Sequence, residues 1–560
     1  METVAIIGRS ISANLAAAYI KQQQPDLNVL LIGQDKVELP IVGESLIEMT
    51  THFLFDLGLA GYLEQRQFHK YGLTFYFKED ITNPNDRTYA VHEAPAGPAH
   101  PSFQLNRFTF KICLQELNQQ LGVKTIDAKV KQVDTEGYCQ HNVIYQQDNN
   151  ISSLEANWVI DATGRRRLLA RQYNLNQKPP TQRCVFWFRL KDFDREFVKK
   201  INSVKKPQYA FDSFFATHHF FGKGNWIWCI PLKQDEEALL SVGITWRPDI
   251  YPHHVTSMED FCKYVALEHP VVAELVKSGT VLDENRYYNY LYETKQVYSP
   301  DGWFIIGDAG NTVDPLYSVG LATTSVQVHQ VEAMIAKGRK SKLDPQYVND
   351  LEVCYRTIFH TVQDDVTRQY ESMHDPYEAH LRMHLITGLY FYFILPCWLA
   401  KYHTDTVGAR FIAKIANSAA DDYKALTDLL PIGSKCLGPL PSSALYNYYD
   451  VVVNFKLWGG NAKEIARHMS RMLRMFAGFR WKLLRNANWH QWSKHVRIIV
   501  ADWLKSYVLR YLFRDKALHE SKLIQLFVKK PTKFMLRKAA QDEPETMMAP
   551  EDTSEIIKDI

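Results

Sequence analysis

The chain has 560 residues, 46% hydrophobic and 23% charged, with a net charge of +3. It is long enough to bury a large core over two or three domains, and the near balance of charge excludes a whole-molecule field that would by itself hold nucleic acid or a membrane. Eight cysteines are scattered without a Cys-x-x-Cys pair or a Cys/His cluster at metal spacing, which argues against a zinc centre and for a reducing compartment. The first residues run directly into an apolar strand and lack the marks of an export signal, so a cytoplasmic location is expected.

In chain order, Val4–Ile7 is a short apolar strand ending at Gly8, Ile11–Lys21 has helical composition, and Asn28–Ile32 is a second buried strand. Such a β-α-β unit places a dinucleotide pyrophosphate on a helix N-terminus. Gly8-Arg9-Ser10-Ile11-Ser12-Ala13 keeps only the first glycine of G-x-G-x-x-G. Ser10 and Ala13 are small enough to preserve close approach. Gly33 stands where an acidic residue should end the second strand, leaving Gln34 or Asp35 to substitute. Trp158–Arg165 and Gly302–Ala309 each read as a strand running into a glycine turn, which predicts an interrupted α/β fold. Between them, from about residue 183 to 250, apolar and polar residues alternate as in an antiparallel sheet, read as an inserted substrate domain. After Gly320 the spacing becomes helical. The organisation expected is a module over 1–370, a helical domain over 371–540 and an acidic disordered tail over 541–560.

Four segments carry chemistry: Gly43-Glu44-Ser45-Leu46; Phe68-His69-Lys70-Tyr71-Gly72-Leu73-Thr74-Phe75; Trp226-Ile227-Trp228-Cys229-Ile230-Pro231; and Gly307-Asp308 followed by Asp314-Pro315-Leu316-Tyr317-Ser318-Val319-Gly320-Leu321. In this order and rough spacing the chain resembles the flavin-dependent halogenases over about residues 1–370. The Trp-x-Trp-x-Ile-Pro element is the most specific of them. Glycine followed by Asp-Ala is shared with flavin monooxygenases and marks FAD more than halide.

The resemblance implies that reduced FAD and oxygen oxidise chloride or bromide, and that the hypohalous acid formed travels through a tunnel to a lysine beside the substrate. Lys70 matches that lysine. Partial desolvation can bring such an amine toward neutrality and expose a lone pair for halogen. Trp226, Trp228, Ile230 and Pro231 match the tunnel wall, where period-two aromatics also pack a strand. Val319 and Gly320 match the halide contacts, with Ser318 near the tunnel and the Leu321 backbone at the flavin. Gly8, Ser10, Ala13, Ser45, Arg107, Asp161, Gly164, Gly307 and Asp308 are the other cofactor-binding candidates implied.

Two positions depart from the family pattern. Thr312 replaces a phenylalanine, and Tyr317 stands where halogenases of free tryptophan carry a glutamate, making Tyr317 a third catalytic candidate with Lys70 and Ser318. The missing glutamate makes the chain look more like the phenol- and pyrrole-acting branch, because a phenol is activated by its own hydroxyl. An electron-rich aromatic substrate of phenol, pyrrole or indole type is expected. The degenerate glycine motif and the lack of a second dinucleotide fingerprint imply reduced flavin from a separate flavin reductase.

Leu385–Ala400 is apolar, but Pro396 and its aromatic content favour a pocket-lining helix over a membrane span. Lys463–Lys538 holds nineteen Lys/Arg against four Asp/Glu, interleaved with tryptophans and leucines. That segment is read as amphipathic helices packing on the catalytic module; an acyl or peptidyl carrier protein, or less favourably an anionic membrane surface, are the alternative partners. Nucleic acid is not expected. The rival functions are a flavin monooxygenase or reductase of the same fold and a non-catalytic flavin-fold binding protein.

Overall fold

Val4, Ala5, Ile6 and Ile7 are buried because the Thr3–Ile7 strand lies at the centre of a five-stranded sheet. A computed structural model of the chain describes residues 1–34, 42–78, 89–94, 101–201, 212–235, 237–430, 462–484, 488–512 and 517–531. The expectations on Asp35 and on the 541–560 tail lie outside these residues.

The strand order is Trp303–Ile305, Trp158–Asp161, Thr3–Ile7, Asn28–Ile32 and Lys124–Ile126, with every neighbouring pair parallel. Strands about 150 and 300 positions from the N-terminus therefore complete a sheet that the first 32 residues begin. Their carboxyl ends collect Gly8, Asp161, Gly164 and Gly307 at one edge, where open parallel sheets bind ligands. The Ile11–Gln23 helix is buried almost all round its first ten residues, as suits a helix packed against the sheet and against the Arg107–Gln120 and Gly320–Gly338 helices. A three-stranded meander, Lys129–Gly137, Gln140–Gln147 and Asn150–Ala156, packs on the same sheet. Its polar outer strand hid it from the sequence reading.

The second sheet has seven strands and reaches beyond the 183–250 interval. Cys184–Lys191, Glu237–Trp246, Asn225–Gln234 and Thr217–Gly222 come from that interval, but Leu73–Lys78 and Tyr89–Ala94 join one side and Thr280–Tyr287 the other. All pairs are antiparallel except Thr217–Gly222 with Leu73–Lys78, which run parallel. That one parallel step brings the Lys70 segment beside the sheet carrying the tryptophans. On the sheet face toward the site, Gly243 lies opposite Trp228, where an added Cβ would meet the indole at 2.3 Å. Only glycine lets the ring lie flat across that strand.

Helices dominate from Gly320 onward: Gly320–Gly338, Pro345–Ser372, Pro376–Leu389, Thr406–Thr427, Ala462–Leu483 and Trp489–Leu512. A π-turn at Tyr390–Ile394 interrupts the apolar 385–400 segment, which is mostly buried. Among the described residues no helix is long and apolar enough to cross a membrane.

Candidate active site

The first strand ends in Gly8 at φ +124°, where a Cβ would stand 2.5 Å from the Ala162 carbonyl oxygen. The turn therefore needs glycine. Ser10 caps the following helix: its hydroxyl donates to Ala162 O at 3.2 Å and accepts from Ala13 N at 3.3 Å. With Ala13 committed to the cap, the free N–H groups of this terminus are those of Ile11 and Ser12. No acidic residue lies in that first turn, so the positive end of the helix is open to a phosphate. Gly307 backs onto Ser12. Asp308 is exposed at the same edge, with Arg107 and Arg165 as its nearby charges. Arg107 itself holds the next segment by donating to Val42 O at 3.0 Å and Gly43 O at 3.2 Å. A helix start without competing carboxylate, a glycine turn and an acidic acceptor for hydroxyls fit FAD.

Asp161 serves a different purpose from the one expected of it. It is completely buried, and its carboxylate accepts from Thr163 N at 2.9 Å, Thr163 Oγ1 at 2.6 Å and Leu169 N at 2.7 Å. Its oxygens are spent holding the turn at Gly164 (φ +59°), so it shapes the cofactor edge without facing it.

The turn Pro315–Tyr317 is fixed from both sides. Asp314 accepts from Leu316 N at 3.1 Å and pairs with Arg183 at 2.7 Å, both side chains being fully buried. The Arg183 guanidinium lies 4.2 Å above the Tyr370 ring, and Tyr370 Oη in turn accepts from Trp226 Nε1 at 2.9 Å. One chain of contacts thus ties the turn to the tryptophan strand. It holds Ser318 in a left-handed conformation (φ 59°), costly for a residue with a Cβ and typical of functional turns. Replacing Arg183 with Met should destabilise the protein by about 3–5 kcal/mol, because the Asp314 carboxylate is left buried and unpaired. Urea unfolding would measure this, and adding Asp314→Asn should recover part of the loss.

Two cavities flank this turn. The smaller, about 40 Å³, is lined by Ser45, Thr217, His219, Trp226, Trp228, Ile230 and Ser318, among others. The indoles stand 5.7 Å apart, and burial holds the His219 imidazole neutral, its pKa down to about 3. The larger, about 120 Å³, is lined by Glu48, Lys70, Tyr317, Val319, Tyr390 and Phe391 within a mainly apolar wall. Its size suits one aromatic ring. Of the catalytic, halide and tunnel candidates, Lys70, Tyr317 and Val319 line the larger cavity and Ser318, Trp226, Trp228 and Ile230 the smaller, whereas Gly320 and Pro231 line neither.

Lys70 follows the Phe68–His69 strand and is 3% exposed. Its Nζ donates to Leu46 O at 2.7 Å, its backbone N–H to Ser102 O at 2.8 Å. Burial brings the ammonium pKa down to about 7, with Glu48 opposing the fall. Glu48 is buried too, which raises its pKa, and its Oε2 accepts from Tyr390 Oη at 3.0 Å. Tyr317 presents its ring to the larger cavity while burial and the neighbouring Asp365 raise its phenol well above the ordinary value, which excludes it as a base near neutral pH. Glu48, Tyr390 and the Arg183–Asp314 pair were missed in sequence. An acidic residue inside the run Leu46-Ile47-Glu48-Met49 was the available signal for the first.

A sheet that binds a dinucleotide at its carboxyl edge, joined to a buried amine through a tryptophan-lined second sheet, defines a flavin-dependent oxidoreductase. Residues 63–382 match the tryptophan halogenase family model, and the chain belongs to that family. It is an FAD-dependent halogenase, using chloride or bromide. The flavin-dependent halogenase chlA of Dictyostelium discoideum is 24% identical over 439 residues, covering 71% of each chain. A 1H-pyrrole-2-carbonyl-[peptidyl-carrier protein] chlorinase of Pseudomonas fluorescens is 27% identical over 340 residues, covering 57% of this chain and 72% of its own. The solved structure of halogenase PltM with phloroglucinol and FAD shares the fold at a TM-score of 0.65 and 15% identity, covering 87% of this chain and 99% of that one.

Proposed function

We propose that this halogenase delivers an electrophilic halogen through the Lys70 amine to a single electron-rich ring, of phenol or pyrrole type, held between Lys70 and Glu48. The observation carrying this reading is one ring-sized apolar cavity containing both a buried amine and a buried carboxylate. Bound in its reduced form, FAD supplies the electrons with which oxygen oxidises halide.

The chain's own residues do the rest. Gly8, the Ser10-capped helix start, Gly307, Asp308 and Arg107 hold the cofactor, with Ser45 and the Leu321 backbone closer to the reacting end. The Gly320–Gly338 helix begins at Val319 without an acidic residue in its first turn, so Val319 and Gly320 offer a halide the positive end of a 19-residue helix. Trp226, Trp228, Ile230 and Ser318 enclose the smaller cavity and keep oxidant from solvent. The neutral Lys70 amine takes the halogen from hypohalous acid, the N–halogen bond forming as the O–halogen bond breaks and the hydroxide leaving with an amine proton as water; the ring then takes the halogen and loses its proton, which restores the amine. Glu48 accepts a hydrogen bond from the substrate's O–H or N–H, directing electron density into the ring. Tyr390 holds that carboxylate in place.

The carrier-bound pyrrole for which the Pseudomonas fluorescens chlorinase is named, and the phloroglucinol bound in the PltM structure, support the ring classes and leave a tethered substrate within the proposal. A separate flavin reductase is proposed as electron donor. The free thiols of the described cysteines support a cytoplasmic location. The test is mass spectrometry of products formed with FAD, a flavin reductase, NADH, oxygen and mixed chloride and bromide, on a panel of phenols, pyrroles and indoles. A halogen isotope pattern on phenols or pyrroles is expected. Oxygenated product without halogen would overturn the reading.

A further inference from the structure

The Trp489–Leu512 helix is built inside out. Its buried positions, His495, Ile499, Asp502 and Ser506, recur at helical spacing, and three of the four are polar. Asp502 pairs with Arg480 at 3.0 Å and Ser506 meets Ser470 at 2.7 Å, so an ion pair and a hydrogen bond join this helix to Ala462–Leu483. The large apolar side chains face outward instead: Trp503 is 54% exposed, Tyr507 64% and Tyr511 70%, with Trp489 and Leu504 exposed beside them. An apolar face of this extent on a soluble surface marks an interaction site.

Charge decides which kind. Lys494, Arg497, Lys505 and Arg510 are exposed on the same helix, while its one acidic residue, Asp502, is withdrawn into the ion pair. The neighbouring Lys522–Phe527 helix adds exposed Leu523, Leu526 and Phe527. Between these helices and their neighbours opens an apolar groove of about 710 Å³, with Lys414 and Lys505 in its lining and Asp422, which is paired with Arg480. Basic residues alone would suit an acidic protein partner. Outward tryptophan, tyrosine and leucine among lysine and arginine, with no exposed carboxylate on the helix, is the composition of a surface that lies in the headgroup region of an anionic bilayer.

We infer that this face adsorbs to an anionic lipid surface, the aromatic rings seated at headgroup level and the groove open to an acyl chain. The contact is peripheral and independent of how the active site works.

The test is co-sedimentation of the full-length protein with vesicles of phosphatidylcholine alone and of phosphatidylcholine mixed with phosphatidylglycerol. Binding to the anionic vesicles, weakened by salt and accompanied by a blue shift of tryptophan emission, is expected. The triple variant Trp503→Ser, Tyr507→Ser, Tyr511→Ser should bind at least about tenfold more weakly with its melting temperature unchanged, since the replaced groups are exposed. Arg497→Gln with Arg510→Gln should reduce the preference for anionic over neutral vesicles. No vesicle binding by the unmodified protein, or binding that the triple variant retains, would overturn the inference. So would lipid-free saturable binding of an acidic acyl carrier protein, or a dimer in solution, that the triple variant abolishes.

Discussion

Lys70→Ala should lower halogenated product by about 10²–10⁴-fold while flavin binding and halide oxidation persist. The separation is expected because Lys70 lines the larger cavity, across the Pro315–Tyr317 turn from the tryptophan-lined one, and its hydrogen bonds go to Leu46 and Ser102, neither of which is assigned to the cofactor. Oxidised halide would then leave unused, and a small-molecule trap in solution would collect it. If the variant halogenated substrate at the unmodified rate, the role assigned to Lys70 would be wrong. In the unmodified enzyme the amine acts in its neutral form, so kcat/KM should rise as pH passes upward through about 7. Burial has a stability consequence as well. The amine titrates at about 7 when folded against an ordinary 10.5, so between these values the unfolded chain binds more protons and stability rises with pH. Below about 7 both states are protonated and the cost of burying the charge is complete. Lys70→Met removes that cost and should stabilise the fold at pH 6, by on the order of 1–3 kcal/mol in urea unfolding.

Glu48→Gln should cost on the order of 10²-fold in kcat/KM on a phenol carrying its free hydroxyl. The amide keeps the shape of the site and can still meet Tyr390, but it no longer carries the charge that draws the substrate's proton. An O-methylated phenol offers no such proton, so on that substrate the variant and the unmodified enzyme should work at similar rates. Equal loss on both substrates would show that Glu48 only shapes the cavity. A second signature tests the same carboxylate through Lys70. The charge on Glu48 favours the ammonium form, opposing the fall produced by burial. Removing it lets the amine pKa fall further, so the ascending limb of the pH profile should move to lower pH. A limb that stayed in place would separate Glu48 electrically from Lys70.

The family was legible in sequence, and so was the larger part of the candidate site, because their signals are local. A glycine that only a positive φ accommodates, two tryptophans at period two and a lysine just before a Tyr-Gly step each report backbone conformation or spacing within a few residues. The same locality explains the misreadings. Asp161 follows a buried strand as a cofactor acid would, yet its oxygens turn inward to Thr163 and Leu169. Pro231 belongs to the tunnel motif but is buried in its strand and lines neither cavity. The substrate sheet was read as one insertion because alternation shows a covered face without naming the neighbour that covers it, and three of its seven strands lie outside the interval.

The sequence by itself determined the class of chemistry, a flavin cofactor and an oxidised halide, and marked the amine proposed to carry the halogen. Tertiary structure alone decided what that amine faces. Tyr390 reaches Glu48 across 342 positions, and the Arg183–Asp314 pair closes over 131, so neither contact leaves a periodic or spaced signal for the sequence to display. Such pairs exist only once both sheets and the C-terminal helices have packed, because burial is what makes Lys70 an amine near neutrality and Glu48 a carboxyl worth pairing.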